Sequence, residues 1–449
     1  MNIKNVSFIN SKTLNILVLV YPLTLTTGNL LINLNIILVC VLGVLVYKKN
    51  IFNFNQFKSI FLIFLFFISI IIITGLNLKS IENQDGFLKS FFYLRYFIFL
   101  IVLRSMIKNN HLNIKQLLIC CLLVTLFISL DATFQAITGK NFFGLEGFER
   151  HNPSIFGEEK ISGSYIQRFY LFALICLPFI FNKLDNKKLI IICLLLLIFF
   201  SGVLFSGNRM PLIMFAFSIG LIIFLIKELR LTLLIGCLFC SLIFILLVST
   251  NKNMKKHYTS FYYQSVKTVL DLKKFSTKKY PELENQKDKY FVKEIDIGKD
   301  NKKLREKYEI IMFWSGHQVV FLTAIDVWTD NIFWGNGLKS FRITCWTKLH
   351  LPNRVCESHP HNYYLELLND TGLIGTLIFI FGIFFIIRKK FINFKYYEKN
   401  EKLLFICLLI IIIAEFFPLK SSGSFFSTTN SSFIFLILGM LNGLKKIKE

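Results

Sequence analysis

A histidine–asparagine pair stands directly before a long apolar run near the C-terminal end of the chain. His361 and Asn362 open a predicted helix, and Gly372 and Gly375 lie where that helix enters the apolar run. An imidazole can exchange a proton near neutral pH, and the start of this run is where a bilayer would meet water. His361 is therefore the candidate general base of an activity at the membrane surface.

A second candidate group is Arg209, in a turn of only a few residues between two apolar runs. The planar guanidinium presents paired donors that suit the oxygens of a diphosphate. The alternative interpretation is an interfacial arginine whose stem lies along the apolar surface while its charge stays in water. Position alone does not separate the two.

The hydrophilic segment before His361 contains further candidates. A helix is predicted from about 316 to 328 with His317 near its start, where a surface histidine is the simpler interpretation. The turn Gly335-Asn336-Gly337 follows, and Arg342 comes shortly after it. Backbone N–H groups of such a turn can cradle an anion, although an ordinary tight turn is the simpler interpretation here as well.

The use of cysteine indicates an oxidising environment for this segment. Eight of the ten cysteines lie in apolar runs, where cysteine acts as a small hydrophobic residue, and only Cys345 and Cys356 lie in the hydrophilic segment. Ten residues separate these two, which is not a recognised metal-binding spacing. The pattern favours a disulfide between Cys345 and Cys356 over a metal site.

The elements that must position these residues are membrane helices. Of the 449 residues, 54% are hydrophobic and 51 are Phe, and they are grouped in runs long enough to cross a bilayer. We predict an all-α polytopic membrane protein with about twelve transmembrane helices. Residues 1–249 would hold helices one to nine, 250–365 a large extracytoplasmic loop, and 366–449 the last three helices. The runs are 13–27, 30–47, 59–76, 90–107, 117–138, 166–182, 189–205, 210–226, 231–249, 371–387, 403–418 and 431–444.

The basic residues indicate the orientation and account for the net charge of +24. Lys and Arg are concentrated in alternate short connections and in the two terminal segments, which predicts that both termini are cytoplasmic. The hydrophilic segment then lies outside the cytoplasm. The charge is explained by topology and by contact with anionic lipid. A nucleic-acid partner is not expected, because no basic soluble domain is visible.

Taken together, these residues resemble the O-antigen ligase and polymerase superfamily of bacterial envelope glycosyltransferases. His361, Asn362, Gly372 and Gly375 match the fixed positions of its ligase signature. The turn around Arg209 and the Gly335–Gly337 turn are similar to two further family motifs. Members often have an arginine where this chain has His317. The resemblance therefore implies that His317 as imidazolium, or else Arg342 or Arg354, holds the lipid-linked diphosphate.

The resemblance also implies a reaction, an architecture of the C-type glycosyltransferase kind and a location in the bacterial inner membrane. A glycan would pass from a polyprenyl diphosphate carrier to a sugar hydroxyl of lipid A-core, at the periplasmic face, by an inverting mechanism without metal or other cofactor. His361 would be the base, Arg209, His317 and Arg342 would bind the donor, and Asn362 would orient the ring or the acceptor. A polymerase of O-antigen or exopolysaccharide, a protein O-oligosaccharyltransferase, a lipid-linked sugar transporter and a metal site at His317, His359 and His361 stay open as alternatives.

Overall fold

The chain folds into helices that follow its apolar runs. The computed structural model describes residues 3–48, 51, 59–77, 81–148, 151–157, 159–181, 184–262, 316–351 and 354–445. These residues form helices joined by turns and contain no β-strand. The α-helices are α1 (Ile3–Leu19), α2 (Tyr21–Thr24), α3 (Asn29–Tyr47), α4 (Phe61–Leu76), α5 (Ile81–Tyr93), α6 (Arg95–Lys108), α7 (Ile114–Thr138), α8 (Ser162–Ile180), α9 (Asn186–Phe205), α10 (Arg209–Leu225), α11 (Arg230–Thr250), α12 (Lys252–Phe261), α13 (Gly316–Thr329), α14 (Phe341–Thr344), α15 (Tyr363–Ile392), α16 (Lys399–Glu415) and α17 (Thr428–Gly443).

Every predicted apolar run overlaps a helix of the structure. Among the described residues, seven helical segments are both long and apolar enough to cross a membrane. The all-helical, multi-pass membrane class is therefore confirmed. The count of twelve spans, the position of the large loop and the three-part division of the chain remain predictions. The seven segments are Asn29–Tyr47, Gly86–Lys108, Ile114–Thr138, Ser162–Ile180, Asn186–Phe205, Lys227–Thr250 and Tyr363–Ile392.

The helices differ in how much of their surface faces other helices. In the candidate span of α8, 83% of the residues are buried, whereas the span that contains α11 has only 17% buried. The last helix, α17, is buried almost throughout and packs on α6. Helices α8 and α17 therefore form the centre of the bundle, and α11 lies at its periphery with its apolar side chains turned outward.

Polar side chains define several helix starts. Asn113, Asp185, Asn251 and Ser427 each accept a hydrogen bond from a backbone N–H in the first turn of the helix that follows. Such caps satisfy donors that have no partner within the helix. The predicted tight connection between the first two apolar runs is present, and Gly28 occupies it with φ of 95°.

The described part of the hydrophilic segment has a small core of its own. Val320, Ala324 and Val327 on α13 pack against Phe341 and Cys345. The predicted helix from about 316 to 328 is confirmed as α13, which packs on α15. Residues 263–315 lie outside the described residues, together with most of the predicted polar excursion. The packing of α13 on α15 is what positions the candidate site.

Candidate functional site

His361 lies in the turn directly before α15, and two further imidazoles adjoin it. Its ring centre is 4.8 Å from that of His317 and 4.2 Å from that of His359. His317 belongs to the first turn of α13, so the packing of α13 on α15 brings it to the predicted base. Two histidines far apart in the sequence therefore belong to one site.

The backbone of His361 is held in an unusual conformation. Its φ is 56°, in the left-handed region that residues with a side chain rarely occupy. The backbone N–H of Ser422 donates to the carbonyl oxygen of His361 over 2.8 Å. This bond ties the turn before α15 to the loop between α16 and α17.

The side chain of Asn362 is buried and engaged by the backbone on both sides. Its Oδ1 accepts from the N–H groups of Tyr364 and Leu365, at 3.0 and 3.2 Å, and so caps α15. Its Nδ2 donates to the carbonyl oxygens of Pro418 and Lys420, at 2.8 and 3.3 Å. The amide therefore joins the start of α15 to the same loop that holds His361.

The 416–427 loop is a structural element of the candidate site that sequence reasoning missed. The carboxylate of Glu366, one turn into α15, accepts from Ser424 Oγ and from the N–H of Phe425, both at 2.5 Å. Tyr364 Oη donates to the carbonyl of Phe416 over 2.6 Å. The only signal in the sequence is the Ser/Gly-rich run that begins at Ser421, which by itself indicates no more than a turn.

The three imidazoles are electrostatically coupled. Burial lowers the pKa of His361 below its ordinary value, and a backbone hydrogen bond with Ser422 acts in the opposite direction. Burial and then the positive charge of His361 lower the pKa of His317. The pKa of His359 falls to about 4, first through burial and then through His361, Arg342 and His317. The cluster is therefore uncharged at neutral pH.

Two polar atoms at this site are buried without a hydrogen-bond partner among the described residues. They are His359 Nε2 and Ser422 Oγ. A buried polar atom normally has a partner, because leaving it unsatisfied costs about 1–3 kcal/mol. Both atoms lie on residues that adjoin His361 through ring or backbone contacts.

The Gly335–Gly337 turn and the Gly372 break in α15 form one structural unit. Gly372 has φ of 63° inside α15, so the helix loses its regular hydrogen bonds there. A Cβ on Gly335 would lie 2.4 Å from the backbone N of Gly372, which leaves no room for a side chain. The broken helix is completed by the turn through bonds from Leu373 N to Ile332 O (2.8 Å), Ile374 N to Phe333 O (3.2 Å), Asn336 N to Asn369 O (2.8 Å) and Gly337 N to Asp370 O (2.9 Å).

The residues directly after this turn bind the side-chain carboxyl of Asp370. One oxygen of Asp370 accepts from the N–H of Lys339 at 2.6 Å, and the other from Ser340 N and Ser340 Oγ at 3.2 and 3.0 Å. The Gly-x-Gly motif is thus used to brace α15 from within the protein. Its N–H groups are not available to a substrate.

The arginines proposed for the diphosphate differ in their surroundings. Arg354 is paired with the carboxylate of Asp326. Arg342 is exposed and forms no ion pair with any residue the structure describes. Its charge acts on His359. Cys345, shortly after Arg342, is joined by a disulfide to Cys356 with a Cα–Cα distance of 5.2 Å.

Arg209 begins α10 and contacts the short helix α12. Its Nη2 donates to the carbonyl of His257 over 2.8 Å and lies 3.0 Å from Nδ1 of the same residue. The guanidinium also lies over the ring of Phe261, 5.4 Å from its centre. Arg209 thereby connects the turn between α9 and α10 with the first described part of the hydrophilic segment.

A metal site at the histidine cluster is one of the alternatives that the sequence leaves open. Across the described ranges, no group of three or more His, Cys, Asp or Glu side chains has an arrangement that could hold a metal ion.

Comparison with known families identifies the segment that contains these residues. Residues 194–380 match the family model for O-antigen ligase. This segment is similar to the O-antigen ligase family. The match confirms the resemblance to the O-antigen ligase and polymerase superfamily, a class of glycosyltransferase-like membrane enzymes. No curated protein shows significant similarity to the chain.

The O-antigen ligase segment contains the histidine at position 361, its neighbour at 317, Arg209, Arg342 and both glycine motifs. The 416–427 loop lies beyond it. The structure thus adds to the family segment a second set of residues, which holds the turn before α15 from the C-terminal side.

A buried ionic network, which sequence reasoning also missed, adjoins the start of α15. Glu415 accepts from Arg168 Nη2 at 2.5 Å, from Lys420 Nζ at 2.7 Å and from Tyr363 Oη at 2.7 Å. Arg168 Nη2 also donates to Asn430 Oδ1 at 2.7 Å. The network joins α8, α15, α16 and α17. Its signal in the sequence was a charged residue in each of two apolar runs, which by default marks a function or a pairing.

Proposed function

We propose that the protein is an O-antigen ligase-like glycosyltransferase. It transfers a glycan from a polyprenyl diphosphate carrier to a sugar hydroxyl of lipid A-core, on the periplasmic side of the bacterial inner membrane. The observation that carries the proposal is the cluster of His317, His359 and His361 at the start of a candidate span, inside the segment that matches the family.

The reaction exchanges one bond at the anomeric carbon for another. The acceptor oxygen forms a new bond to this carbon and loses its proton to His361. The bond from the same carbon to the diphosphate oxygen breaks, and the polyprenyl diphosphate leaves with the electron pair. Attack on the face opposite the leaving group inverts the configuration, and no metal or cofactor takes part.

The state of His361 supports its role as the base. A general base must be unprotonated, and the lowered pKa of His361 keeps it so at neutral pH. The unsatisfied His359 Nε2 and Ser422 Oγ are suited to bind the acceptor or a hydroxyl of the donor sugar. Asn362 acts as a positioning residue, since its amide is engaged by the backbone.

The leaving diphosphate needs positive charge, and we assign this to Arg342 together with Arg209. His317 is the weaker candidate because its pKa is lowered, so it carries no charge at neutral pH until an anion binds. Arg354 is also a weaker candidate, because the carboxylate of Asp326 already neutralises its charge. Both Arg342 and Arg209 lie in the family segment, and the guanidinium fork suits phosphate oxygens.

Replacement of His361 by Ala tests the proposal. We expect transfer from a polyprenyl diphosphate-linked glycan to fall by about 100-fold or more, because general base catalysis contributes about 10²–10⁴-fold. The measurement is the rate of transfer by the purified full-length protein, with lipid A-core, a second lipid-linked repeat unit and a Ser/Thr peptide supplied separately. The acceptor that is used distinguishes a ligase from a polymerase or a protein O-oligosaccharyltransferase.

The matched control is His350→Ala. His350 is an exposed histidine of the same segment, and its Nδ1 lies 2.8 Å from the carbonyl oxygen of Thr347. This variant should transfer at the wild-type rate. If the His361→Ala enzyme keeps more than about a tenth of wild-type activity, His361 is not the general base. A wild-type protein that moves the lipid-linked glycan across vesicles without transferring it would indicate a transporter.

A further inference from the structure

The connection between α7 and α8 begins with a short hairpin, residues 140–146, that folds back along α7. Lys140 and Glu146 form an antiparallel bridge at its base, and their side chains pair at 3.2 Å. Gly144, with φ of 83°, lies in the turn between them. Residues 141–145 are the hairpin tip.

The aromatic rings of the hairpin tip contact α7 well inside its length. The ring of Phe142 stacks on that of Phe134, with 4.7 Å between their centres, and lies 6.0 Å from that of Phe127. The ring of Phe143 lies 6.2 Å from that of Phe127. Because α7 ends at Thr138 and a helix rises about 1.5 Å per residue, Phe127 lies roughly 16 Å from this end. The hairpin tip therefore runs alongside a candidate membrane span.

The length of α7 decides whether this depth lies inside the bilayer. Its 25 residues measure about 37 Å, against about 30 Å for a hydrocarbon core. Even if the whole excess of about 7 Å projected at the end that carries Thr138, Phe127 would lie about 9 Å inside the hydrocarbon. Asp131, which accepts a bond from the hairpin tip, lies roughly 10 Å from the same end and is also inside.

Every backbone N–H group of the hairpin tip has an acceptor within the protein. Backbone that is not helical needs such acceptors at membrane depth, because lipid offers none. The hairpin tip meets this requirement with two side chains and its own carbonyl groups. The bonds are Asn141 N to Leu145 O (2.9 Å), Phe142 N to Asp131 Oδ1 (2.8 Å), Phe143 N to Asn141 Oδ1 (3.0 Å), Gly144 N to Asn141 O (3.0 Å) and Leu145 N to Asn141 Oδ1 (2.8 Å).

The side chains of the hairpin tip are arranged with polar groups inward and apolar groups outward. Asn141 is 3% exposed, and its neighbour Asp131 on α7 is fully buried. By contrast, Phe142, Phe143 and Leu145 are 51%, 69% and 44% exposed. A loop in water has the opposite arrangement, because exposing large apolar side chains to water is unfavourable. The exposed rings instead continue the outward-facing apolar surface of α7.

We propose that the hairpin tip is inserted into the hydrocarbon of the bilayer beside α7. Its partners are the acyl chains of the leaflet at the Thr138 end of α7, which is the outer leaflet in the predicted orientation. The Lys140–Glu146 pair stays at the level of the lipid headgroups. This inference concerns contact with lipid alone and does not rest on the proposed transfer reaction.

Nitroxide labels on Phe143→Cys and Lys140→Cys test the insertion. The full-length protein is reconstituted in vesicles of phosphatidylethanolamine and phosphatidylglycerol. Electron paramagnetic resonance then measures how often each label collides with oxygen, which enters hydrocarbon, and with a water-soluble nickel chelate, which does not. The positions are matched, since 69% of Phe143 and 61% of the Lys140 side chain are exposed. We expect the ratio of oxygen to nickel collisions to be at least about fivefold higher at position 143, because a polar complex is excluded from hydrocarbon.

Two further labelled positions complete the experiment. Leu123→Cys lies on the exposed apolar side of α7 and gives the value for a label in hydrocarbon, which the label at position 143 should match. Leu145→Cys should behave like Phe143→Cys, and it carries the test if the Phe143 variant does not fold. Wild-type protein treated in the same way gives the background from the native cysteines. If the labels at positions 143 and 145 are as accessible to nickel as the label at position 140, the hairpin tip lies in water and the proposal is wrong.

Discussion

At position 361 the chain holds a histidine in a left-handed backbone conformation, with φ of 56°. Such a conformation costs a residue with a side chain about 1–2 kcal/mol. The N–H of Ser422 and the cap formed by Asn362 maintain it. Strained backbone of this kind persists where surrounding contacts over-determine it, and it is concentrated at functional sites. The backbone at position 361 is therefore held by the 416–427 loop and by the start of α15.

We predict that the rate of transfer depends on pH through the protonation of His361. A base must be neutral, so kcat/KM should fall as the pH falls through the pKa of His361. Burial lowers that pKa, so this loss should occur at more acid pH than the ordinary histidine value of about 6.5. Because a guanidinium group stays charged in proteins, holding the diphosphate with arginines predicts no alkaline loss up to about pH 9. The measurement is kcat/KM across about pH 5 to 9.

The competing assignment, in which His317 holds the diphosphate as imidazolium, predicts a different profile. Transfer would then also fall as the pH rises through the pKa of His317, which gives a bell shape. The His317→Arg variant would abolish the alkaline limb by making the charge permanent. If the wild type loses activity at alkaline pH and this variant does not, His317 is the residue that holds the diphosphate.

The types of the site residues were predictable from the sequence, and their partners were not. His361 and Arg209 stand out because each lies at the outer edge of an apolar run, and Arg342 because it follows the Gly335–Gly337 turn. The bond from Ser422 to His361 joins residues from two separate connections. No period or local spacing encodes such a bond, so only the packed structure reveals it.

At the scale of elements, α15 is made of two helical parts joined at Gly372. The Gly335–Gly337 turn supplies the hydrogen bonds that the break removes. This pairing explains why the glycines of the family signature and of the Gly-x-Gly motif occur together. It also fixes the segment that contains Lys339 and Arg342 against α15. A substitution at Gly372 should therefore also affect Arg342, which is assigned to the leaving diphosphate.

Replacement of Gly372 by Ala should lower the melting temperature and reduce transfer. The left-handed φ of 63° alone would cost about 1–3 kcal/mol. In addition, the new Cβ would lie 2.3 Å from the carbonyl oxygen of Phe333, and a backbone atom cannot move away cheaply. The measurement is thermal unfolding of the purified protein in detergent, followed by the transfer assay on the folded fraction.

Gly220→Ala provides the matched control for this variant. Gly220 lies within α10, and a Cβ there would meet no atom within 4 Å. Since Ala favours a helix over Gly by about 0.5–1 kcal/mol, this variant should be as stable as the wild type or more so. A Gly372→Ala protein with unchanged melting temperature and activity would show that the break in α15 is not required.

The apolar helices were the predictable elements, because a long run of Phe, Leu and Ile has few alternatives in a membrane. The helix that carries His317 was also anticipated, at about 316 to 328 against Gly316–Thr329 in the structure. Its docking on α15 was not, because that contact depends on a small core formed around Val320, Ala324 and Phe341.

At the scale of the whole molecule, the site lies at one end of a bundle whose centre carries charge. Arg168, Glu415 and Lys420 are buried together, and the two cations outnumber the carboxylate. Breaking a buried pair usually costs about 3–5 kcal/mol, since it leaves an unpaired charge. The network therefore holds α8 and α16 together beneath the 416–427 loop, which places the site on the best-packed part of the bundle.

The orientation of this bundle gives the last prediction. Lys140 lies in the connection after α7 and Lys399 at the start of α16, and five predicted spans separate them. An odd number of crossings puts the two positions on opposite sides. The excess of Lys and Arg around position 399 assigns that side to the cytoplasm. In spheroplasts, a membrane-impermeant maleimide should therefore label Lys140→Cys at once and Lys399→Cys only after permeabilisation.

Both cysteine variants can be made in the wild-type protein, because its own cysteines should react little with the maleimide. Its eight free cysteines lie in helices and are buried or half-buried, and the remaining two form the disulfide. Labelling of both variants from the outside would require an even number of spans between them, which would contradict the twelve-helix topology. Labelling of Lys399→Cys alone would invert the protein. His361 would then face the cytoplasm, and the donor, the acceptor and the oxidising environment of Cys345 and Cys356 would all have to be reassigned.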